Sequence, residues 1–415
     1  MRARLLTAIV AMAFAASACA SSQHSLIVGA MYPTGGGQGP GGTDELRGVQ
    51  LAADLVNSQG GVHGRRIHLD LVATDSADAV PHAMDKLTRD GARVVLGSYG
   101  STMSAVAASI AARRDMVFWE TGAVGLLPQV ASGHVFRVPP TGETLGRVAV
   151  DFVTNVYLPK TKKKARPRYG VTYVDDVYGR SVGRGAVEAI RSAGENPEVF
   201  PYDARRTDFA ALARRIGAAR INVLVVGAYL EDGVALRRAV VRQQLPLIAN
   251  IGTSSSYCMP EFGKELGRDA VGAFASDKPD ADSVSAKALL PDAARRLRWA
   301  QDNYRRRFGV PMTAPALAGF SGAWALFGHV LPAASSASAG DVVRAARTVR
   351  IPDRGLPNGS GLAFAPSTSV SENLRAASVV WEWVAPGTRA IVWPPAFATR
   401  PIVAEGPGGA APPVE

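Results

Sequence analysis

The sequence predicts an α/β protein built from parallel sheets. Short apolar runs rich in β-branched residues alternate with longer segments of helical periodicity along most of the chain. Strands that alternate with helices of this length form βαβ units, whose strands pair in parallel. Pro139 and Pro140 interrupt the alternation within residues 136–146, which predicts that the chain passes there from one domain into another. The length of 415 residues also suits about two domains.

The first half of the chain opens with a buried strand at residues 25–32. The stretch GGGQGPGG at 35–42 follows, and a helix is expected over 43–59, with Thr43 as its N-cap and Gly60 as its stop. Alternating or apolar runs then predict strands at 65–75, 92–99 and 116–121, separated by helices at 80–90 and 103–115.

The same alternation resumes after the proline-rich crossing. Strands are expected at 169–176, 195–203, 221–229 and 246–253, with helices at 179–194, 208–220 and 231–244. Beyond them the pattern predicts an amphipathic helix at 290–309, a buried helix at 314–334, two strands around a Pro-Gly turn at 377–395, and a low-complexity tail.

The N-terminus has the features of a secretory signal peptide. Arg2 and Arg4 precede an apolar stretch at residues 5–16, which is too short to span a bilayer as a helix. Small residues then precede Cys19, an order that resembles a bacterial lipobox with Cys19 as the lipidated residue. Ordinary secretion remains the alternative, because the tripeptide ASA at 16–18 also suits a signal peptidase.

Cysteine content and charge exclude several function classes. The chain has two cysteines, so lipidation of Cys19 would leave Cys258 as a single packed thiol, and a cysteine-rich metal site is excluded. The formal net charge is +11, with one dense basic run at residues 160–168, for which a solvated loop is expected. That run lacks the interleaved aromatics of single-strand nucleic-acid sites, so no nucleic-acid partner is expected.

The glycine-rich stretch at 35–42 does not match a phosphate-binding motif. It contains no lysine or arginine, whereas a P-loop needs a lysine after its last glycine. Neither frame of its glycines satisfies G-x-G-x-x-G, because Pro40 or Gln38 occupies a required position. No cofactor is therefore expected.

Several segments together resemble a known family. The stretch GVQLAADLVNSQGGVHGRRIHLDLVATD, the segments VVLGSYGSTMS and VTYVDDVYGRSVG, and the later VLVVGAYLEDGVALRRA are similar to type I periplasmic solute-binding proteins, among them the branched-chain amino-acid and amide receptors of ABC importers. The resemblance spans residues 25 to 390 and implies two Rossmann-like lobes joined by a three-segment hinge around a ligand cleft, with the glycine-rich stretch at the cleft mouth.

The resemblance also implies a division of the chain. Residues 1–18 form the signal peptide, residues 25–139 with 279–352 form the first lobe, residues 140–278 with 353–398 form the second, and 399–415 form a disordered tail. It further implies an extracytoplasmic monomer, anchored to the membrane through lipidated Cys19 or free in the periplasm, that meets a small-molecule ligand and ABC permease subunits.

The family's ligand contacts map onto specific residues here. Hydroxyls at a helix N-terminus favour a ligand carboxylate, which singles out Ser101, with N-capping as the alternative. The complete set of expected ligand contacts is Ser101, Thr102, Glu120, Thr121, Gly122, Ala123, Tyr178, Tyr229, Ser254 and Phe320. Simple packing is the alternative for Tyr178, Tyr229 and Phe320.

Two positions depart from the family pattern. The carboxylate that pairs with a ligand ammonium is replaced by Ser254, and an aromatic of the first loop is replaced by glycine near Gly41. An unpaired ammonium in a closed cleft would be costly. Either Glu120, Glu231 or Asp277 substitutes, or the ligand is not a standard α-amino acid but a small amide, a urea-like molecule, a carboxylate or an aromatic acid.

The function expected from the sequence is ligand capture by hinge closure for import, without catalysis. A receptor that senses the ligand without transport is the alternative, since the same fold serves both. A hydrolase is disfavoured because GFSGA at 319–323 lacks the G-x-S-x-G spacing, and no H-E-x-x-H metal motif occurs.

Overall fold

A computed structural model describes residues 25–129, 132–161, 166–281 and 283–403. The expected signal peptide, Cys19 and most of the expected tail lie outside the described residues. The same holds for positions 162–165 of the basic run.

The first lobe is built on a six-stranded sheet in which every pairing is parallel. Its strands lie in the order β11-β5-β4-β3-β1-β2. Their bounds are β1 Leu26–Tyr32, β2 Ile67–Ala73, β3 Val94–Gly97, β4 Val117–Glu120, β5 Val135–Arg137 and β11 Val370–Glu372.

The second lobe is built on a seven-stranded sheet in the order β13-β12-β10-β9-β8-β6-β7. Pairing is parallel from β7 to β10, and β12 and β13 add an antiparallel hairpin at one edge. Their bounds are β6 Tyr169–Val174, β7 Glu198–Tyr202, β8 Val223–Gly227, β9 Ala249–Thr253, β10 Phe274–Asp277, β12 Val379–Ala385 and β13 Thr388–Trp393.

Helices cover both faces of each sheet, as parallel crossover connections require. They are α1 Gly39–Ser58, α2 Val80–Arg89, α3 Ser101–Ala112, α4 Gly142–Phe152, α5 Val177–Ser192, α6 Phe209–Ala218, α7 Leu230–Arg242, α8 Pro260–Leu266, α9 Pro291–Phe308, α10 Ala314–Ala325, α11 Leu331–Ala333 and α12 Ala339–Thr348. The stretch Ala314–Ala333 is long and apolar enough to cross a membrane, but it is mostly buried inside the fold, as a core helix is.

The parallel α/β prediction and the paired strands near 377–395 are confirmed. The expected N-cap at Thr43 is wrong, because helix α1 begins four residues earlier, at Gly39. A Cβ at Gly39 would lie 2.8 Å from the Thr34 carbonyl oxygen, and one at Gly42 would lie 2.2 Å from that of Pro33. These glycines therefore let the first turn of α1 pack directly on the backbone that leaves β1.

The chain passes between the two sheets three times, after β5, after β10 and after β11. Strand β11 pairs with β5, although residues 353–398 were all expected in the second lobe. The ring of Phe364 explains this placement, since it packs edge-on against Trp119 and Phe136 of the first lobe at 5.5 and 5.0 Å. Within 353–398, residues up to β11 thus contact the first sheet, and β12 and β13 extend the second.

Candidate functional site

A cleft lies between the two lobes, at the carboxyl ends of their parallel strands. Ligand sites of open α/β sheets form at this edge, where loops leave the strands. The loops that follow β3 and β4 contribute from the first lobe, and those after β6, β8, β9 and β10 contribute from the second.

The cleft contains two adjoining chambers, of which the smaller has a volume of about 20 Å³. That volume has room for about one water-sized group. We call it the inner chamber, and its lining consists of Gln38, Tyr99, Gly100, Ser101, Gly122, Val124, Tyr178, Tyr229, Ser254, Ser255 and Lys278.

A larger chamber of about 330 Å³ shares one wall with the inner chamber. This volume is at the lower end of the range of small-molecule pockets. We call it the outer chamber. It shares Gln38, Tyr99, Tyr229, Ser254, Ser255 and Lys278 with the inner one, and its own lining adds Gly37, Pro40, Gly41, Asp44, Leu230, Cys258, Met259, Pro260, Glu261, Asp277, Thr313, Ala314 and Pro315.

Five of the ten expected contact residues line the inner chamber: Ser101, Gly122, Tyr178, Tyr229 and Ser254. Ser101 is the first residue of α3, and its Oγ accepts a hydrogen bond of 3.0 Å from the backbone N–H of Gly125. No side chain caps α3 at its N-cap residue, Gly100, so Ser101 is not an N-cap.

The other five expected residues lie outside both chambers. Thr102 is exposed on α3, and Phe320 is buried in the first lobe, where it stacks on Trp299 at 6.1 Å. Glu120 Oε1 accepts hydrogen bonds from the backbone N–H groups of Gly122 and Ala123 at 2.8 and 2.7 Å, so it shapes the turn after β4. Ala123 is fully buried in that turn.

Thr121 belongs to a buried network beneath the cleft. Its Oγ1 lies 2.6 Å from the hydroxyl of Tyr32 and donates to Glu45 Oε1 at 2.6 Å. The other carboxyl oxygen of Glu45 has no hydrogen-bond partner, and Gly122 lies directly against it. Burial raises the pKa of Glu45 to about 8, with Glu120 adding to the rise and Lys278 opposing it.

The two tyrosines of the second lobe are fixed by hydrogen bonds within that lobe. Their ring centroids lie 5.1 Å apart. The Tyr178 hydroxyl donates to the Ser254 carbonyl oxygen, and the Tyr229 hydroxyl donates to Asp176 Oδ2 at 2.8 Å. Burial raises the pKa of both phenols, so both remain neutral at physiological pH.

Tyr99 was not expected at the site, yet it lines both chambers. A Cβ at Gly41 would lie 2.3 Å from its ring, so the ring occupies the space that a side chain at position 41 would fill. Its hydroxyl faces the side chain of Ser255 across the cleft. Both residues have positive φ, 70° for Tyr99 and 74° for Ser255, which is uncommon for residues other than glycine.

Lys278 was also missed. Its side chain is 5% exposed, and Nζ donates a hydrogen bond of 2.8 Å to the carbonyl oxygen of Gly122 on the first lobe. The sequence does place Lys278 directly after the buried strand β10. Residues that follow the carboxyl end of a parallel strand face the cleft, so this position could have indicated the site.

Three acidic residues were expected as possible partners of a ligand ammonium. Glu231 is exposed on α7, and Glu120 holds its own turn. Asp277 lines the outer chamber: its Oδ2 accepts from the Cys258 thiol at 3.1 Å, and its Oδ1 has no hydrogen-bond partner. Cys258 is thus a packed thiol at the chamber wall.

Within the part of the chain that the structure describes, no three His, Cys, Asp or Glu side chains come together as a metal site would require. The site therefore combines hydroxyls, the Gln38 amide, one ammonium group, the three carboxylates of the outer chamber and apolar walls.

Comparison with known proteins agrees with this geometry. A family model described as periplasmic binding protein matches residues 25–380. The "Leu/Ile/Val-binding protein homolog 8" of Brucella suis biovar 1 is 25% identical over 387 residues, covering 91% of this chain and 93% of the relative.

Solved structures share the fold. One is a solute-binding protein of an ABC transporter from R. palustris in complex with benzoate, with a TM-score of 0.71, 15% identity and coverage of 92% and 98% of the two chains. Another is the branched-chain amino acid transporter substrate binding protein from Streptococcus pneumoniae in complex with isoleucine, with a TM-score of 0.70, 16% identity and coverage of 89% and 100%.

The family match covers most of the chain, and the two lobes, the parallel sheets and the cleft between them have the type I periplasmic binding protein architecture. Membership implies an extracytoplasmic protein that binds a solute and is not an enzyme. The chain belongs to the periplasmic binding protein family.

Proposed function

We propose that this protein captures a small polar organic ligand between its lobes and delivers it to an ABC permease. One observation carries the proposal: the two chambers form one cleft, and both lobes contribute side chains to its wall. A ligand that contacts both lobes binds the closed form more tightly than the open form. It therefore shifts the balance toward closure, and a permease can recognise that state.

The proposed ligand is a branched-chain amino acid, an amide or a related small carboxylate. The relative's name supports the first class, and the benzoate complex of the R. palustris protein supports a carboxylate. The inner chamber offers the Ser101 hydroxyl at the start of α3 together with the Lys278 ammonium. Both groups favour an anionic oxygen, the first through the helix dipole and the second by charge.

The proposed contact residues are revised by the geometry. They are Ser101, Gly122, Tyr178, Tyr229 and Ser254 from the expected set, with Tyr99, Ser255, Lys278 and Asp277 added. Thr102, Glu120, Thr121, Ala123 and Phe320 then act indirectly, through the shape of the first lobe.

The proposed cellular form is a monomer anchored to the membrane through lipidated Cys19. The order of charged, apolar and small residues before Cys19 supports the anchor. Expression of the full chain with a clickable fatty-acid analogue should label the wild type and leave Cys19→Ser unlabelled. Equal labelling of both would exclude this anchor.

Thermal-shift screening tests the proposed function. The domain from residue 25 onward is unfolded and refolded to remove bound ligand, then heated with branched-chain amino acids, small amides, urea, short carboxylates and aromatic acids. A compound that binds only the native state raises Tm. At a hundredfold excess of ligand over Kd, the free energy of unfolding increases by about 2.7 kcal/mol. We expect at least one such compound, and a flat response across the panel would contradict the proposal.

A further inference from the structure

Lys278 is buried, and its ammonium group hydrogen-bonds to a neutral carbonyl group. Its side chain is 5% exposed, and the carbonyl oxygen of Gly122 is a neutral acceptor. Among the described residues it forms no ion pair with an acidic side chain. Burial of an unpaired charge is costly, and the cost falls when a bound anion supplies the missing partner.

The acidic groups near the cleft do not fill this role. Glu45, beneath Gly122, is attracted to Lys278 but forms no salt bridge with it among the described residues, and burial raises the pKa of Glu45 to about 8, which favours its neutral form. The carboxylates that face the cleft, Asp44, Glu261 and Asp277, line the outer chamber only. Lys278 lines both chambers, but the carboxylates accompany it only in the outer one, so it is the one charged side chain in the described lining of the inner chamber.

This distribution of charge orients a ligand. An anionic group is attracted toward Lys278 and repelled by the carboxylates of the outer chamber, so it is favoured on the inner side of Lys278. The inner chamber has room for about one water-sized group, so only the terminal oxygens of a ligand can enter it. The body of the ligand then lies in the outer chamber, among Leu230, Met259 and Pro315.

We propose that the ligand is an organic carboxylate without an α-ammonium group, and that Lys278 is its counter-ion and the specificity-determining residue. This inference rests on the proposed function and narrows its ligand class. An α-amino acid carries its ammonium one carbon from its carboxylate, so its entry would bring a second cation beside Lys278. Like charges at that distance disfavour binding.

Asp277 sets a second feature of the ligand. Its unpaired Oδ1 can accept a hydrogen bond in the outer chamber. A hydroxyl or amide N–H on the ligand body would supply the donor without adding charge near Lys278.

The test compares ligands that share a carbon skeleton. Leucine, 4-methylpentanoate and 4-methylpentanamide differ only in the α-ammonium or in the charge of the head group, and benzoate with benzamide forms a second pair. Their Kd values are measured by calorimetry on refolded wild type, on Lys278→Gln, and on Lys264→Gln, which removes an exposed lysine outside the cleft.

We expect wild type to bind 4-methylpentanoate about tenfold or more tightly than leucine, and each carboxylate more tightly than its amide. Lys278→Gln should remove the preference for carboxylate over amide, and Lys264→Gln should retain it. Circular dichroism checks that both variants fold. The comparison of ligands on wild type tests the inference even if a variant does not fold.

Tighter binding of leucine or of an amide in wild type would overturn this inference and leave the proposed function standing. The same holds if all five compounds fail while another amino acid, another amide or urea binds; if another carboxylate binds instead, the inference predicts that Lys278→Gln weakens it and Lys264→Gln does not, and equal affinities would overturn it. If the whole panel fails, the inference and the proposed function fail together.

Discussion

The ammonium group of Lys278, which follows the last parallel strand of the second lobe, donates a hydrogen bond of 2.8 Å to the carbonyl oxygen of Gly122 in the first lobe. Beneath that glycine lies the carboxyl group of Glu45, against which a Cβ would come within 1.8 Å. The contact thus joins the two lobes, and it depends on a glycine at position 122. A change at Gly122 should therefore affect both the stability of the first lobe and the contact with Lys278 in the cleft.

Gly122→Ala should destabilise the fold. The added methyl would meet a buried carboxyl whose Oε1 is already held by Thr121, so Glu45 cannot turn away freely. Overpacking of this kind costs about 1–3 kcal/mol in the free energy of unfolding, which urea denaturation can measure. Gly37→Ala is the matched control, since a Cβ there would meet nothing within 4 Å. Equal stability of the two variants would contradict the packing described for Gly122.

Glu45→Gln should change the pH dependence of stability. Because burial raises the folded-state pKa from 4.5 to about 8, the folded state binds a proton that the unfolded state releases in this interval. The free energy of unfolding should therefore fall as pH rises from about 4.5 to about 8, by an amount of the order of 4 kcal/mol. Glu45→Gln cannot bind this proton. Its free energy of unfolding, measured by urea denaturation, should therefore fall less across that pH range. Parallel curves for the two proteins would show that Glu45 does not titrate as described.

Tyr99→Phe should weaken ligand binding without loss of the fold. The variant keeps the ring beside Gly41 but removes the hydroxyl that faces Ser255 on the other lobe, where closure would bring the two groups together. Loss of about 1 kcal/mol from the closed state corresponds to a roughly fivefold rise in Kd. Tyr169→Phe removes a hydrogen bond to Thr154 away from the cleft and should leave Kd unchanged. A similar Kd for Tyr99→Phe and wild type would exclude a role for this contact in closure.

Cys258 should react slowly with thiol reagents in the native domain. Burial, together with the neighbouring Asp277 carboxylate, raises the pKa of this thiol and disfavours the reactive thiolate. Because Cys258 lines the outer chamber, a bound ligand should slow the reaction further. The rate with a disulfide reagent at pH 8, in native and urea-unfolded protein, measures this protection. Equal rates in the two states would contradict the burial of Cys258.

More of the fold than of the candidate site could be predicted from the sequence. Hydrophobic periodicity located the parallel strands, because a buried strand or an amphipathic helix carries its pattern within a few adjacent residues. The start of α1 was missed because Gly39 and Gly42 are weak helix formers, and tertiary contacts with Pro33 and Thr34 determine their conformation. The placement of β11 depended on Phe364 meeting Trp119, residues far apart in the chain.

Site residues that directly follow a strand could be predicted from the sequence. Those whose role depends on the direction of the side chain could not. Ser101, Tyr178 and Tyr229 were expected and line the inner chamber. Thr102 is adjacent to Ser101 in the sequence, but consecutive residues of a helix point to different faces. The side chain of Thr102 is therefore exposed and not in the cleft. Tyr99 was obscure because its position depends on the empty space above Gly41, which no local pattern reveals.

The central claim is that the cleft between the lobes is the ligand site, and calorimetry with a blocked cleft tests it most directly. Gln38 lines both chambers at the start of α1, and Gln59 lies exposed at the other end of that helix. The compound with the largest thermal shift is titrated into wild type, Gln38→Trp and Gln59→Trp. We expect 1:1 binding to wild type and Gln59→Trp, and at least a tenfold loss of affinity in a folded Gln38→Trp protein. Equal affinity in all three proteins would place the ligand elsewhere and contradict the account.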